Sequence, residues 1–123
     1  MSFTTYLESK LLKHVLDNVA YASPSNVYVS LWNGDPLNGG VEVTGSGYSR
    51  PTGSFTVSGS AATNNNNIEY VATGNWGLVD YVGISDAATG GNLLISTALT
   101  SSRTIINGDI VRFSIGDLDV SLT

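Results

Sequence analysis

The sequence predicts a mainly β, single-domain protein over residues 1–123: an antiparallel β-sandwich or jelly-roll-like barrel with one N-terminal α-helix. Three observations lead there. Short runs rich in Val, Ile, Tyr, Phe and Thr recur about every 8–12 residues, the spacing of small sandwiches and barrels. Turn signals separate them, as at Asn33-Gly34-Asp35-Pro36 and Asn107-Gly108-Asp109. Only one stretch repeats its apolar residues at a helical period, and it lies near the N-terminus. A chain of 123 residues is the size of one domain and can bury a core without covalent staples.

Residues 1–22 form the helix and its entry. The spacing of Leu7, Leu11, Val15 and Val19, with Leu12 and Leu16 beside them, predicts a helix over 5–19. Thr5 and Glu8 match a Thr-x-x-Glu capping box. Asp17-Asn18 begins the exit, and Ser23-Pro24-Ser25 cannot continue a helix. With one apolar face, this helix is expected to lie on the sheet or dock into a partner.

Residues 26–123 read as the sandwich. Val27 to Trp32 is dense in β-branched and aromatic residues and ends at the Asn33–Pro36 turn. Residues 37–47 are a Gly-rich loop. Gly47 to Pro51 opens a short strand that Pro51 restricts to an edge. Residues 55–57 alternate as a strand, and residues 58–67, with four asparagines from Asn64 to Asn67, read as a loop. Strands follow at 68–72, at 78–85 as the central candidate, at 93–98, at 104–106, at 110–115 and at 118–122.

Composition narrows the function. The chain carries 5 basic and 10 acidic residues, a formal net charge of -5. It has no basic patch to neutralise phosphates, so neither nucleic acid nor an anionic membrane surface is an expected partner. No apolar run approaches the length of a membrane span. Charged residues make up only 12% of the chain, and Ser, Thr and Asn replace them. Such a surface suits packing against neighbours, because few charges need desolvation.

The parts of familiar catalytic sites are missing from the sequence. There is no cysteine, and His14 is the single histidine. Zinc sites and Ser-His or Cys-His nucleophile pairs therefore lack their usual groups. Asp80 with Asp86, and Asp117 with Asp119, are possible carboxylate pairs for glycoside hydrolysis. Asp86, Asp109 and Asp117 sit at turn positions, where aspartate caps its own backbone, and that accounts for them more simply. No phosphate-loop motif occurs, and no cofactor or metal is expected. Trp32, Tyr48, Trp76 and Tyr81 are the candidate interface or sugar-contact residues. Aromatics of this kind more often fill the core or an interface than a sugar platform.

Several stretches then recur in a familiar order. They are Tyr6 to Leu16 followed by Pro24 to Trp32; Gly47-Tyr48-Ser49-Arg50; and Trp76-Gly77, Gly83 to Leu94, Gly108-Asp109 and Gly116-Asp117-Leu118. This order resembles a family of small tailed-bacteriophage virion proteins, commonly labelled tail-fibre proteins and similar to capsid decoration (cement) proteins. The resemblance spans nearly the whole chain and brings no catalytic residues with it.

The resemblance implies a non-enzymatic structural protein of the virion, assembled in the host cytoplasm. Its expected partners are itself, as a homotrimer, and other virion proteins such as major capsid or tail proteins. Capsid decoration is the favoured place, because the chain lacks the long repetitive or coiled-coil shaft of a fibre. The alternative is a carbohydrate-binding, receptor-recognition module at a tail-fibre tip. It requires two or more coplanar exposed aromatics among the four named above.

Overall fold

In the computed structural model, which describes residues 2–121, the strand at Gly77–Ser85 lies at the centre of the larger sheet, as its sequence suggests. Elements run in the order β1 (Ser2–Phe3), α1 (Thr5–Leu16), β2 (Val27–Asn33), β3 (Val41–Glu42), β4 (Thr52–Gly53), β5 (Phe55–Ser58), β6 (Ala61–Asn64), β7 (Ile68–Val71), β8 (Gly77–Ser85), β9 (Leu93–Ile105), β10 (Ile110–Phe113) and β11 (Asp119–Ser121). The larger sheet has the order β1-β9-β8-β2-β3, with β4 also on β2. A second layer is built from the pair β10-β7 and the triplet β11-β6-β5. All pairings are antiparallel, and the fold is the expected β-sandwich.

The core lies between these layers. Val29, Leu31, Val79, Val82 and Ile105 come from the larger sheet, and Ile68, Tyr70, Val111 and Leu118 from the other side. Alternation selects them: in β7, Ile68 and Tyr70 are buried while Glu69 and Val71 face out. On β8 the period breaks at a bulge between Val79 and Tyr81, which lets both Val79 and Val82 reach the core.

The structure corrects several boundaries. Residues 93–98 and 104–105 are parts of one strand, β9, Leu93–Ile105, whose residues 99–102 fall opposite that bulge, between the pairs Tyr81–Ala98 and Val79–Arg103. The 58–67 loop contains β6, a strand of small residues held by two partners rather than by propensity. The 37–47 loop contains β3. No strand starts at Gly47; pairing begins at Thr52, after Pro51, whose carbonyl accepts from Val29 N–H. The strand at 110–115 stops at Phe113, where Ser114–Asp117 turns. The last strand is Asp119–Ser121, and the expectation for Leu122 falls outside the described residues. The β structure also starts earlier than residue 26, because Ser2–Phe3 pairs with β9.

The helix departs furthest from expectation. It spans Thr5–Leu16 and is capped by Thr4, not Thr5. Asn18 takes a left-handed φ of 53°, and Val19 N–H bonds to the Lys13 carbonyl, closing the end early. Only Leu7 is buried and Leu11 half-buried, so most of the apolar face does not lie on the sheet.

Candidate functional site

Strand β2 has one edge on β8 and the other completed in pieces. Val27 and Tyr28 pair with β4, and Trp32 and Asn33 pair with β3. The backbone between them finds other partners. Leu31 N–H donates to the Tyr48 hydroxyl at 3.0 Å, and the Tyr70 hydroxyl donates to the Val29 carbonyl at 2.6 Å. Buried backbone groups need partners, and two tyrosines here stand in for a strand.

Tyr48 leads to the one well-buried ion pair among the described residues. Its hydroxyl donates to Glu42 Oε2 at 2.6 Å. Arg50 donates to the same carboxylate through Nε and Nη2, both at 2.7 Å. The remaining nitrogen, Nη1, donates to the carbonyls of Ala87 and Gly90 at 2.8 and 2.9 Å. Every Arg50 nitrogen is thus committed inside the protein, and its side chain is only 8% exposed. The group works as a clamp between β3, the segment after the Gly45–Tyr48 turn and the 86–92 hairpin loop, with four of the five guanidinium N–H groups spent on it.

The charges are matched. Burial alone would raise the Glu42 carboxyl, but the hydrogen bonds from Arg50 and Tyr48 and the guanidinium charge outweigh it, holding the carboxyl below its usual range. Burial and the bond to Glu42 push the Tyr48 phenol well up, so it stays a donor. Sequence reasoning missed Glu42 and Arg50 as a pair. The signal was present: they are the only charged residues between Asp35 and Glu69.

The four aromatic candidates separate into two pairs. Tyr48 and Trp76 pack on the core with Tyr70. Tyr48 and Trp76 meet edge to face, at 89° and 5.4 Å, and the indole donates to the Ser46 carbonyl. They do not form a coplanar platform. Trp32 and Tyr81 are register partners on β2 and β8, on the sheet face away from the core, and both are half-buried. Trp32 Nε1 donates to Ser30 Oγ at 2.9 Å and lies over Gly83, where a Cβ would crowd it.

The carboxylates work in turns. Asp86 accepts from Asn92 N–H across its loop, Asp109 from Ile106 N–H, and Asp117 from Ser114 N–H. Asp80 sits inside β8 rather than near its end and accepts from Gly34 N–H at 2.7 Å. Asp80 and Asp86 therefore serve different turns. Asp117 and Asp119 share a groove of about 530 Å³ with Arg103, Arg112, Leu99 and Phe113. His14 Nδ1 accepts from Tyr21 N–H at the helix exit. Among the described residues, no cluster of three or more His, Cys, Asp or Glu could hold a metal, and no helix is long and apolar enough to cross a membrane.

The feature that stands apart is the free side of α1. Leu12, Val15 and Leu16 are 60%, 72% and 77% exposed and lie three and four residues apart on one side of the helix, and Val19, just past its end, is 50% exposed. Singly exposed apolar residues are ordinary, whereas neighbouring ones on one helix side form an apolar patch.

No curated protein matches the chain. Its residues 2–121 match the family model described as podophage GP4 fiber I protein gp80. The match covers every described residue, so the chain belongs to this family of phage fibre proteins, components of the virion.

Proposed function

We propose that the protein is a non-enzymatic building block of a phage fibre that self-assembles through its N-terminal helix, as a homotrimer, and joins other virion proteins. The observation that carries this reading is the exposed apolar side of α1. A helix of 12 residues is marginal alone in water, and its own body covers only one edge of it. Apolar residues from Leu7 round to Leu16 span roughly half the helix circumference at 3.6 residues per turn. The body takes the Leu7–Leu11 edge. The arc left over is broad enough to meet two neighbours, as in a threefold bundle, where a dimer needs only a narrow seam. A symmetric assembly sets the same apolar face against itself and needs no charge match.

The family description weighs toward a fibre, and we adopt the fibre over capsid decoration. Light scattering on a sizing column tests the assembly. The wild type should elute at three times the mass of one chain. The double variant Leu12→Glu, Leu16→Glu should elute as single chains with unchanged β-sheet circular dichroism, because neither residue packs on the body. A wild type that stays at one chain's mass at every concentration overturns the reading.

Glycan recognition at a fibre tip is the second reading, and the Trp32–Tyr81 pair favours it. A glycan array with the wild type and with Trp32→Ala checks it. Binding that survives the substitution places recognition elsewhere.

A further inference from the structure

Three Asn-Gly pairs occur in the chain, at Asn33-Gly34, Asn38-Gly39 and Asn107-Gly108. This dipeptide is chemically labile, because glycine has no side chain to hinder attack of its own backbone nitrogen on the preceding side-chain amide. The attack needs a backbone N–H that is free to lose its proton. The fold treats the three pairs differently.

Gly34 N–H donates to Asp80 Oδ1 at 2.7 Å, and Gly108 N–H donates to the Ala72 carbonyl at 2.9 Å. Both nitrogens are tied across the structure to another element. Gly39 N–H has no acceptor among the described residues, although its neighbours Asn38 and Gly40 both donate to the Asp35 carbonyl. Asn38 and Gly39 are both exposed, and the space beside Gly39 is open. The Asn38 side chain likewise makes no hydrogen bond with the described residues.

We propose that Asn38 is a spontaneous deamidation site, and that hydrogen bonding protects Asn33 and Asn107. The Gly39 nitrogen, its proton lost to base, attacks Asn38 Cγ. A new C–N bond closes a succinimide ring, and the side-chain nitrogen leaves as ammonia. Water then opens either ring carbonyl and leaves aspartate or isoaspartate at position 38. No electron transfer is involved. The product adds one negative charge to a chain already at -5. It does so at the rim of an open groove of about 530 Å³ lined by Asn33, Gly40, Glu42 and Trp76. The isoaspartate form also inserts an extra backbone carbon into the turn that Asp35 closes.

Incubation of the folded protein at mildly alkaline pH, followed by peptide mapping with mass spectrometry, tests this. Position 38 should convert about tenfold faster or more than positions 33 and 107, since each protected amide must first give up a hydrogen bond. In urea-unfolded chain the three should convert at similar rates. The acidic form seen by ion exchange should vanish in Asn38→Gln. Equal conversion of all three in the folded protein overturns the proposal. So does an intact Asn38 in folded protein when the unfolded chain converts, or an acidic form that persists in Asn38→Gln.

Discussion

Arg50 grips Glu42 with two nitrogens at 2.7 Å each, and its third nitrogen holds the loop that contains Ala87 and Gly90. Two sequence stretches that carry the family resemblance, Gly47 to Arg50 and Gly83 to Leu94, are therefore joined in space by one side chain. The guanidinium fork fits a carboxylate and two carbonyls at once, which a single ammonium cannot do.

Arg50→Lys should therefore behave nearly as badly as Arg50→Ala. Either change leaves Glu42 without its two-point contact and frees the 86–92 loop. The expected loss is about 2–4 kcal/mol, toward the low end of buried pairs because Glu42 keeps some exposure and the Tyr48 bond. Urea denaturation checks the loss. Hydrogen exchange should locate the loosening at residues 86–92, and a lysine variant as stable as wild type contradicts the clamp.

The same pair sets a pH dependence. The Glu42 carboxyl is held below its ordinary value of 4.5 in the fold, so the unfolded chain binds that proton more readily. Its contribution is present above the ordinary value and is lost as pH falls through the lower folded value. Glu42→Gln removes the titration. The wild type should melt above Glu42→Gln at neutral pH, and the gap should close as the pH drops below the ordinary carboxylate range. A gap that holds constant down to strongly acidic pH excludes Glu42 as its source.

Asn64 is the other hub. It is 1% exposed, and its amide makes all four of its bonds. Nδ2 donates to the carbonyls of Asn66 and Ser114, and Oδ1 accepts from Gly116 and Leu118 N–H. Asn64→Ala should cost about 2–4 kcal/mol, since it removes four hydrogen bonds at once and leaves the buried Leu118 N–H without its acceptor. Asn64→Asp keeps the acceptors but turns a carboxylate toward two carbonyls, so it should be no milder. Limited proteolysis should cut first at residues 114–118 in both variants.

These cases show where sequence reasoning reached and where it stopped. The sandwich class, the centrality of β8 and the turn roles of Asp86, Asp109 and Asp117 follow from local rules, and local rules are readable. The asparagine run at 64–67 looked like loop filler. Each of its members bonds across the fold instead: Asn65 to Thr56, Asn66 to Ser54, Asn67 to Ile115. Composition cannot distinguish a solvated asparagine from a buried one, because the partners lie up to 54 residues away. The bulge that lets residues 99–102 continue β9 without a break was equally hidden, since it depends on the register of β8 against β9.

The choice between Thr4 and Thr5 as helix cap is the clearest instance, and it yields the last prediction. Both residues suit the role, and Thr5 has Glu8 three residues on. The fold decides otherwise, because Thr4 is already fastened to β9. Its N–H donates to the Leu94 carbonyl at 2.9 Å. Its hydroxyl lies 2.8 and 3.1 Å from the carbonyls of Leu93 and Leu94 and accepts from Leu7 N–H. Thr4 thus ties the helix both to its own first turn and to the sheet, next to the single buried helical residue, Leu7. Thr4→Val keeps the shape and removes the hydroxyl, so about 1–2 kcal/mol should be lost. Thr5→Val, at an exposed position, should change stability by less than about 0.5 kcal/mol. Amide exchange at Leu7 and Glu8 should quicken only in the Thr4 variant. If the proposed oligomer forms, that variant should also weaken association, because a helix that swings free of β9 presents its apolar side in no fixed direction. Equal effects at the two threonines would mean that the first turn alone, and not the anchor on β9, holds the helix in place.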